Sequence, residues 1–210
     1  MTEELKRVEF IAHATFKLSG KIVLYTDPYQ MGPDDEAGVI LVTHSHFDHC
    51  SPEDIRKLCG PDTAIVCSMD CAPALSGLSS SVQGLQPGEE IVVHGVRIKA
   101  VPAYNRDKDF HPRSSNWNGY VFEFEGTSYY HTGDTDLIPE MKDIETDVAF
   151  LPVGGTYTMD YREAGEAVSW ISPRYAIPMH YGSIVGSSAD ADKFAEIAGD
   201  RAVIIPPKNS

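Results

Sequence analysis

The chain has 210 residues, 42% hydrophobic and 23% charged, enough for one sizeable core and ordinary for a globular protein. Its 31 acidic residues outnumber 17 basic ones, giving a net charge of −14. That balance argues against broad binding to a phosphate backbone, which needs clustered Lys and Arg, although it leaves room for a local basic patch. A small molecule is the expected partner, with no nucleic acid and no membrane; a homo-oligomer is compatible with everything read here. No apolar run approaches the roughly 18 residues of a membrane span. The start, "MTEELKRVEF", lacks the apolar core of a signal peptide, so a cytoplasmic location is expected. The four cysteines, at 50, 59, 67 and 71, form no CxxC pair and read as reduced, mostly buried thiols.

In chain order, short strand patterns come first. "KRVEFIA" alternates, with Val8 and Phe10 on one face, and "FKL" and "KIVLYTD" follow around a turn at "SGK". "GVILVTH" is a β-branched apolar run of the kind buried on both faces of a sheet. A helix then begins at "SPEDIRKLC". Ser51 suits its cap, Pro52 its first position, and Glu53 and Asp54 the positive end of its dipole. "TAIVCS" is a further strand. "EIVVHGVRIKAVPA" reads as a hairpin turning at His94-Gly95, and "GYVFEFEGTSYYHTGD" as a second turning near Glu125-Gly126.

From about residue 136 the pattern becomes strand–helix alternation. "DVAFLPV" is a buried strand. "DYREAGEAVSWI" spaces Ala164, Ala167, Val168 and Ile171 as one helical face, with Asp160 and Glu163 as a capping box. "YAIPMH" as a strand, a helix around "ADKFAEIA", and "RAVII" as a last strand complete the pattern. There is no repeat and no linker, so a single domain over 1–210 is expected, with sheets flanked by helices. The longest segment without element signals, 104–118, "YNRDKDFHPRSSNWN", is the place to look for function.

The stretch "THSHFDHC" at 43–50 concentrates three of the eight histidines at the end of an apolar strand. Imidazole and carboxylate are common metal ligands. His44 and His46, two apart in extended chain, point to the same side, and Asp48 and His49 follow as the chain turns. Four such groups crowd one ion but suit two neighbouring ions. Further ligands stand at other strand ends, where functional groups collect in open sheets: Asp134 in "HTGDTD" and His180 in "IPMHYG". His94 and His131 read as turn and strand residues.

Taken together, "THSHFDH" at 43–49, "HTGDT" at 131–135 and "PMHYG" at 178–182 resemble the metallo-β-lactamase superfamily. "AHATF" at 12–16, "TDP" at 26–28 and "LPVGGTYTM" at 151–159 narrow the resemblance to its small stand-alone hydrolases, the branch like L-ascorbate-6-phosphate lactonase. The resemblance runs in matching order over about residues 8 to 205. It implies a four-layer αβ/βα sandwich, two mixed sheets flanked by helices, with two divalent metals in the cleft between the sheets. It implies His44 and His46 on the first metal, Asp48, His49 and His180 on the second, and Asp134 between them. Asp27 would orient a ligand histidine from behind, and His13 would lie nearby. One departure stands out. The family pattern places a third histidine for the first metal where "PAYN" puts Asn105. His111, six residues on, is the replacement expected; otherwise Asn105, water or substrate completes the site.

Two divalent ions roughly 3.5–4 Å apart hold and acidify a water between them. The resemblance thus leads to a metal-bridging hydroxide cleaving a small ester, lactone or phosphodiester, with Asp48 or Asp134 accepting or relaying the proton. No G-x-S-x-G and no P-loop lysine offers another route. Zinc is the expected metal, and manganese, nickel or iron suit the same ligands. Arg106 and Arg113 in the 104–118 segment are either contacts for a substrate anion or solvated loop charges. Three other classes remain: a nucleic-acid-processing nuclease, a metal-binding protein with little catalysis, and a redox protein. The last is disfavoured, because di-iron relatives carry glutamate where this chain has His46, and a fused flavin domain.

Overall fold

A computed structural model describes residues 2–209. A one-turn helix, α1 (Glu3–Lys6), leads into β1 (Val8–Ala12), β2 (Thr15–Ser19), β3 (Val23–Thr26) and β4 (Ala37–Val42). After α2 (Pro52–Leu58) come β5 (Cys59–Ser68), the short α3 (Ala72–Leu75) and β6 (Ser81–Leu85). These six strands form one sheet in sequence order, antiparallel through β1–β3 and parallel from β3 to β6. The second sheet holds β7 (Glu90–Val93), β8 (Val96–Pro102), β9 (Asn118–Phe124), β10 (Thr127–His131), β11 (Val148–Pro152) and β12 (Tyr175–Met179). It is antiparallel through β10 and parallel from β10 to β12. α4 (Tyr161–Ile171) and α5 (Ser188–Ala198) complete the chain. The expected pair of mixed sheets flanked by helices is what the chain forms.

The side-chain alternation of β4 shows how the layers are held. Val39 and Leu41 join Phe10, Phe16, Ile98, Phe122 and Phe150 in the core between the sheets. Ile40 and Val42 face the other way, onto Ile55 and Leu58 of α2 and the buried thiols of Cys67 and Cys71. Both faces are covered, which is why this strand reads as an unbroken apolar run. Cys50, Cys59, Cys67 and Cys71 are all free, and only Cys59 is not fully buried. The face of α4 carrying Ala164, Ala167, Val168 and Ile171 is buried as its spacing requires, together with Phe194 of α5. The Asp160–Glu163 capping box is formed in full. α2 starts as its caps direct, with the Ser51 hydroxyl accepting from the Asp54 N–H at 3.3 Å.

"RAVII" is not a strand. Residues 199–201 form a 3-10 turn, and beyond it only Ala202 bridges to Ala176 of β12, leaving Ile204 exposed. Among the described residues, no helix is long and apolar enough to cross a membrane.

Candidate metal centre

β1, β3 and β4 run in one direction in the first sheet, as do β10, β11 and β12 in the second. Their C-terminal ends meet at one edge of the sandwich, and all but that of β11 deliver a polar side chain there. His13 follows β1, Asp27 follows β3, the run from Thr43 to His49 follows β4, Asp134 follows β10, and His180 follows β12. The segment between β8 and β9 contributes His111. His13, Asp27, Thr43, His44, Asp48, His49, His111, Asp134 and His180 are buried, and His46 is half-buried.

Three groupings have ligand atoms within 4.8 Å of one another: His44, His46 and His111; His13, Asp48, His49 and His180; and His44, His49 and Asp134. The Asp134 carboxylate stands between the first two. Its Oδ2 lies 3.3 Å from Nε2 of His111 and 3.0 Å from Nε2 of His180, and its Oδ1 lies 3.3 Å from Nε2 of His49. The distances would allow hydrogen bonds but the alignment does not: all three Nε2 atoms, and Asp134 Oδ1, are buried without a hydrogen-bond partner. Native interiors rarely bury such atoms unsatisfied.

The opposite ring nitrogens are well held. Asp27 is fully buried and takes the Thr43 N–H at 2.8 Å, the Thr43 hydroxyl at 2.7 Å and His49 Nδ1 at 2.7 Å. The Thr43 hydroxyl spends its one proton on that carboxylate, so at 3.0 Å it accepts from His44 Nδ1. One buried carboxylate therefore orients the ring of His49 directly and of His44 through Thr43; His44 Nε2 meets His46 Nδ1 at 3.1 Å, and His49 Nε2 has no hydrogen-bond partner. Thr43 lies beside the HxH motif, and its role was not legible from spacing.

His111 is fixed differently. Asn105 Oδ1 accepts from His111 Nδ1 at 3.0 Å and from its main-chain N–H at 2.9 Å, while Nδ2 donates to Asp136 Oδ1 and to the Tyr157 carbonyl. Two acceptors around Nδ2 fix which way the amide faces, and every polar atom of Asn105 is thereby occupied. Asn105 stands behind His111 rather than in the cluster. Asp136, which sequence reasoning passed over, is held in turn by the Arg106 N–H and by Lys108.

His13 sits closer than a supporting position implies. Its Nε2 bonds Asp48 Oδ2 at 3.0 Å, and its ring lies 3.9 Å, centroid to centroid, from His180. Trp117 walls the first grouping, with its ring 4.9 Å from His44 and 4.8 Å from His46 and its indole N–H donating to Asp70. Arg113 is paired with Glu140 and stacked on Tyr104, and Arg106 reaches toward the Leu137 carbonyl. His131 donates to the Ala14 carbonyl and accepts from the Gly133 N–H, and His94 meets the Asp62 carbonyl. Both serve the backbone.

The electrostatics follow from burial and crowding. Burial drives the His44 imidazole well below its usual range, and the neighbouring His49 adds to the effect. Burial likewise lowers His46, and brings His13 down to about 4 against the pull of Asp48. Burial opposes ionisation of Asp134, but the charges on His180 and His49 outweigh it and hold the carboxyl well below its range. Burial also opposes charge on His49, yet Asp134 and Asp27 raise it. Asp48 overcomes burial through its bond from His13 and lies at about 2. His44, His46 and His13 are thus held neutral and lone-pair-bearing beside ionised carboxylates, the state in which metal ligands bind, whereas His49 would shed a proton on binding.

A larger cavity, about 630 Å³, opens at the opposite, hairpin-turn end between Lys21, His94 and residues 123–128, but among the described residues no group of converging ligand atoms faces it.

The β-lactamase superfamily domain profile matches residues 7–180, which include every side chain just described as a candidate ligand. A UPF0173 metal-dependent hydrolase of Thermococcus onnurineus is 35% identical over 217 residues, covering 95% of each chain. A metal-dependent hydrolase from Parabacteroides distasonis of known structure has a TM-score of 0.83 at 32% identity, over 96% of this chain and 93% of that one. A Zn-dependent hydrolase of the metallo-β-lactamase superfamily from Thermotoga maritima gives 0.63 at 26% identity, over 90% and 84%. Shared fold, shared length and sequence identity of this order make the chain a member of the metallo-β-lactamase superfamily, within its family of metal-dependent hydrolases.

Proposed function

We propose that the chain is a binuclear hydrolase of small molecules, with His44, His46 and His111 holding one divalent ion, Asp48, His49 and His180 the other, and Asp134 shared. One observation carries this reading: Nε2 atoms from two strand ends and a loop surround a single buried carboxylate at 3.0–3.3 Å without hydrogen-bonding to it. Cations placed among these atoms would satisfy groups that are otherwise buried unpaired. The nitrogen and oxygen donors suit zinc first, as in the Thermotoga maritima relative described as Zn-dependent, and also manganese, nickel or iron.

Divalent ions bound there would lower the pKa of a water toward neutrality and stabilise negative charge developing on a carbonyl or phosphoryl oxygen. The chain's own residues do the rest. Asp27 and Thr43 hold the rings of His44 and His49, and Asn105 holds His111, so the donor atoms need no rearrangement. Asp48 lines the open cavity and is ionised, which makes it the group to accept the proton that hydrolysis takes from water. Asp134, ringed by the imidazoles of His49, His111 and His180, serves as a fixed negative charge. The −14 net charge speaks for a small substrate over nucleic acid.

Elemental analysis after saturation with zinc tests this: two ions per wild-type chain and one in His111→Ala are expected. At most one ion in the wild type would overturn the binuclear reading.

A further inference from the structure

We infer that the cleft over the metal centre takes an uncharged carboxylic ester or lactone with an apolar group beside the scissile bond, and discriminates against substrates that carry an anion there; this rests on the hydrolase reading. The cavity above His46, His111 and Asp134 measures about 250 Å³, below the usual size for drug-like ligands. Its walls are Phe47, Phe110, Tyr157 and Ile184. Phe47 is 67% exposed, Phe110 48% and Ile184 38%. These are three of the seven exposed large hydrophobic side chains among the described residues, and they come from three different connections: β4 to α2, β8 to β9, and β12 to α5. Scattered single apolar residues on a surface need no explanation, but convergence around one opening does. Phe110 stands edge-on to Tyr157 at 4.7 Å, so the wall is a formed surface.

Charge points the same way. No Lys or Arg lines the cavity among the described residues. The cations of the neighbouring loop are engaged elsewhere: Lys108 with Asp136, Arg113 with Glu140, and Arg106 toward a carbonyl. The charged side chains that do face the cavity are carboxylates, Asp48 and Asp134. Away from the bound ions, a phosphate or carboxylate on the substrate's flank would find no Lys or Arg partner and would be desolvated against the apolar wall. In the reaction the water oxygen bonds to the acyl carbon and the acyl C–O bond breaks. The alcohol leaves with one proton, the second goes to Asp48 and then to solvent, and a carboxylate forms.

The test uses the zinc-loaded protein and p-nitrophenyl acetate, butyrate and hexanoate, with p-nitrophenyl glutarate as the carboxylate-ended ester and bis(p-nitrophenyl) phosphate as the phosphodiester. We expect kcat/KM to rise about fourfold per added methylene, the glutarate to fall at least about tenfold below the butyrate, and the phosphodiester to trail the esters. Phe110→Ser and Ile184→Ser, both at exposed positions, should flatten the chain-length dependence. A flat dependence in the wild type, equal rates for glutarate and butyrate, or an unchanged slope in both variants would overturn the proposal. In parallel, binding of the unreactive N-phenylbutanamide and N-phenylacetamide is followed by NMR. If the protein with two ions bound turns over none of these compounds, the hydrolase reading fails by itself. Tighter binding of the butanamide in the wild type alone then still supports an apolar cleft, and equal binding of the two amides overturns it.

Discussion

Replacing Asn105 with Leu keeps the branched outline of the side chain, at a larger volume, but removes four hydrogen bonds at once: two that hold His111, one to Asp136 and one to the Tyr157 carbonyl. Asp136 keeps the Arg106 N–H and Lys108, so its pocket survives. The His111 ring, however, loses the acceptor that fixes its tautomer, and its buried N–H loses its partner. Comparable losses behind metal-binding histidines cost about 10–100-fold in affinity, or about 1.4–2.7 kcal/mol. The orphaned N–H adds about 1–3 kcal/mol to the loss of metal-free stability. Titrating zinc into stripped protein against a chromophoric chelator should therefore show one of two binding steps weakened by that factor and the other unchanged. Urea melts of the metal-free proteins measure the stability loss separately. Two unchanged steps would refute the argument that Asn105 presents His111 to a metal. Equal weakening of both would show general loosening of the site.

Metal addition should stabilise the fold by mass action. At a free zinc concentration 100 times Kd, each site contributes about 2.7 kcal/mol, or a rise of about 5–11 °C in Tm for a chain of this size, read by calorimetry; no shift would mean that the cluster does not bind. Phe150 is stacked on Phe16 at 4.1 Å in the fully buried inter-sheet core. Phe150→Ala should cost about 3–5 kcal/mol in urea unfolding, and a loss under about 1 kcal/mol would show that the sheets close over the gap. Asp54 takes N–H bonds from Gln30 and Met31; burial opposes its charge, but Lys57 and Ser51 win and lower its pKa. A lowered folded pKa means stabilisation that is present above the unfolded value, about 3.9, and is lost as pH falls through the folded one. The gap in urea midpoint between wild type and Asp54→Asn should thus be widest at pH 7 and shrink toward pH 3; a constant gap would assign it to packing.

Which parts were legible in sequence follows from how local their causes are. The hairpins at His94-Gly95 and Glu125-Gly126 show because both central residues take positive φ, 48° and 81° in the first turn and 50° and 79° in the second, which glycine makes cheap. The capping box of α4 shows because it spans four residues. β6, "SVQGL", did not: it is a half-exposed edge strand paired only to β5, with no alternation to announce it. "RAVII" misled because its apolar content answers to packing beyond β12 rather than to a ladder. At the metal centre, the HxHxDH run is local and readable. The bond from Asn105 to His111 depends on the path of a loop without repeating structure, and Thr43's service to His44 depends on Asp27 arriving from another strand.

Backbone strain at the centre is a cost that no propensity would accept. His13, Asp27 and His180 have φ of 52°, 39° and 60°, and each directly follows a strand end. A left-handed conformation costs an ordinary residue about 1–2 kcal/mol. Main-chain bonds hold it in place: His180 N–H to the His13 carbonyl at 2.6 Å, and Asp27 N–H to the Leu41 carbonyl at 2.8 Å. His180 also buries two ring nitrogens with no hydrogen-bond partner. In His180→Gly the metal-free protein gains about 1–2 kcal/mol of relieved strain and about 1–3 kcal/mol from removing unpaired polar atoms. Against this stand a cavity where the ring packed on His13, about 2–4 kcal/mol, and about 1 kcal/mol of glycine entropy. The balance is near zero without metal, while with zinc the variant should lose one ion and the stabilisation that comes with it. Urea melts with and without zinc separate the two. A metal-free loss above about 4 kcal/mol would make His180 a packing residue and leave its strained, unpaired ring without a reason.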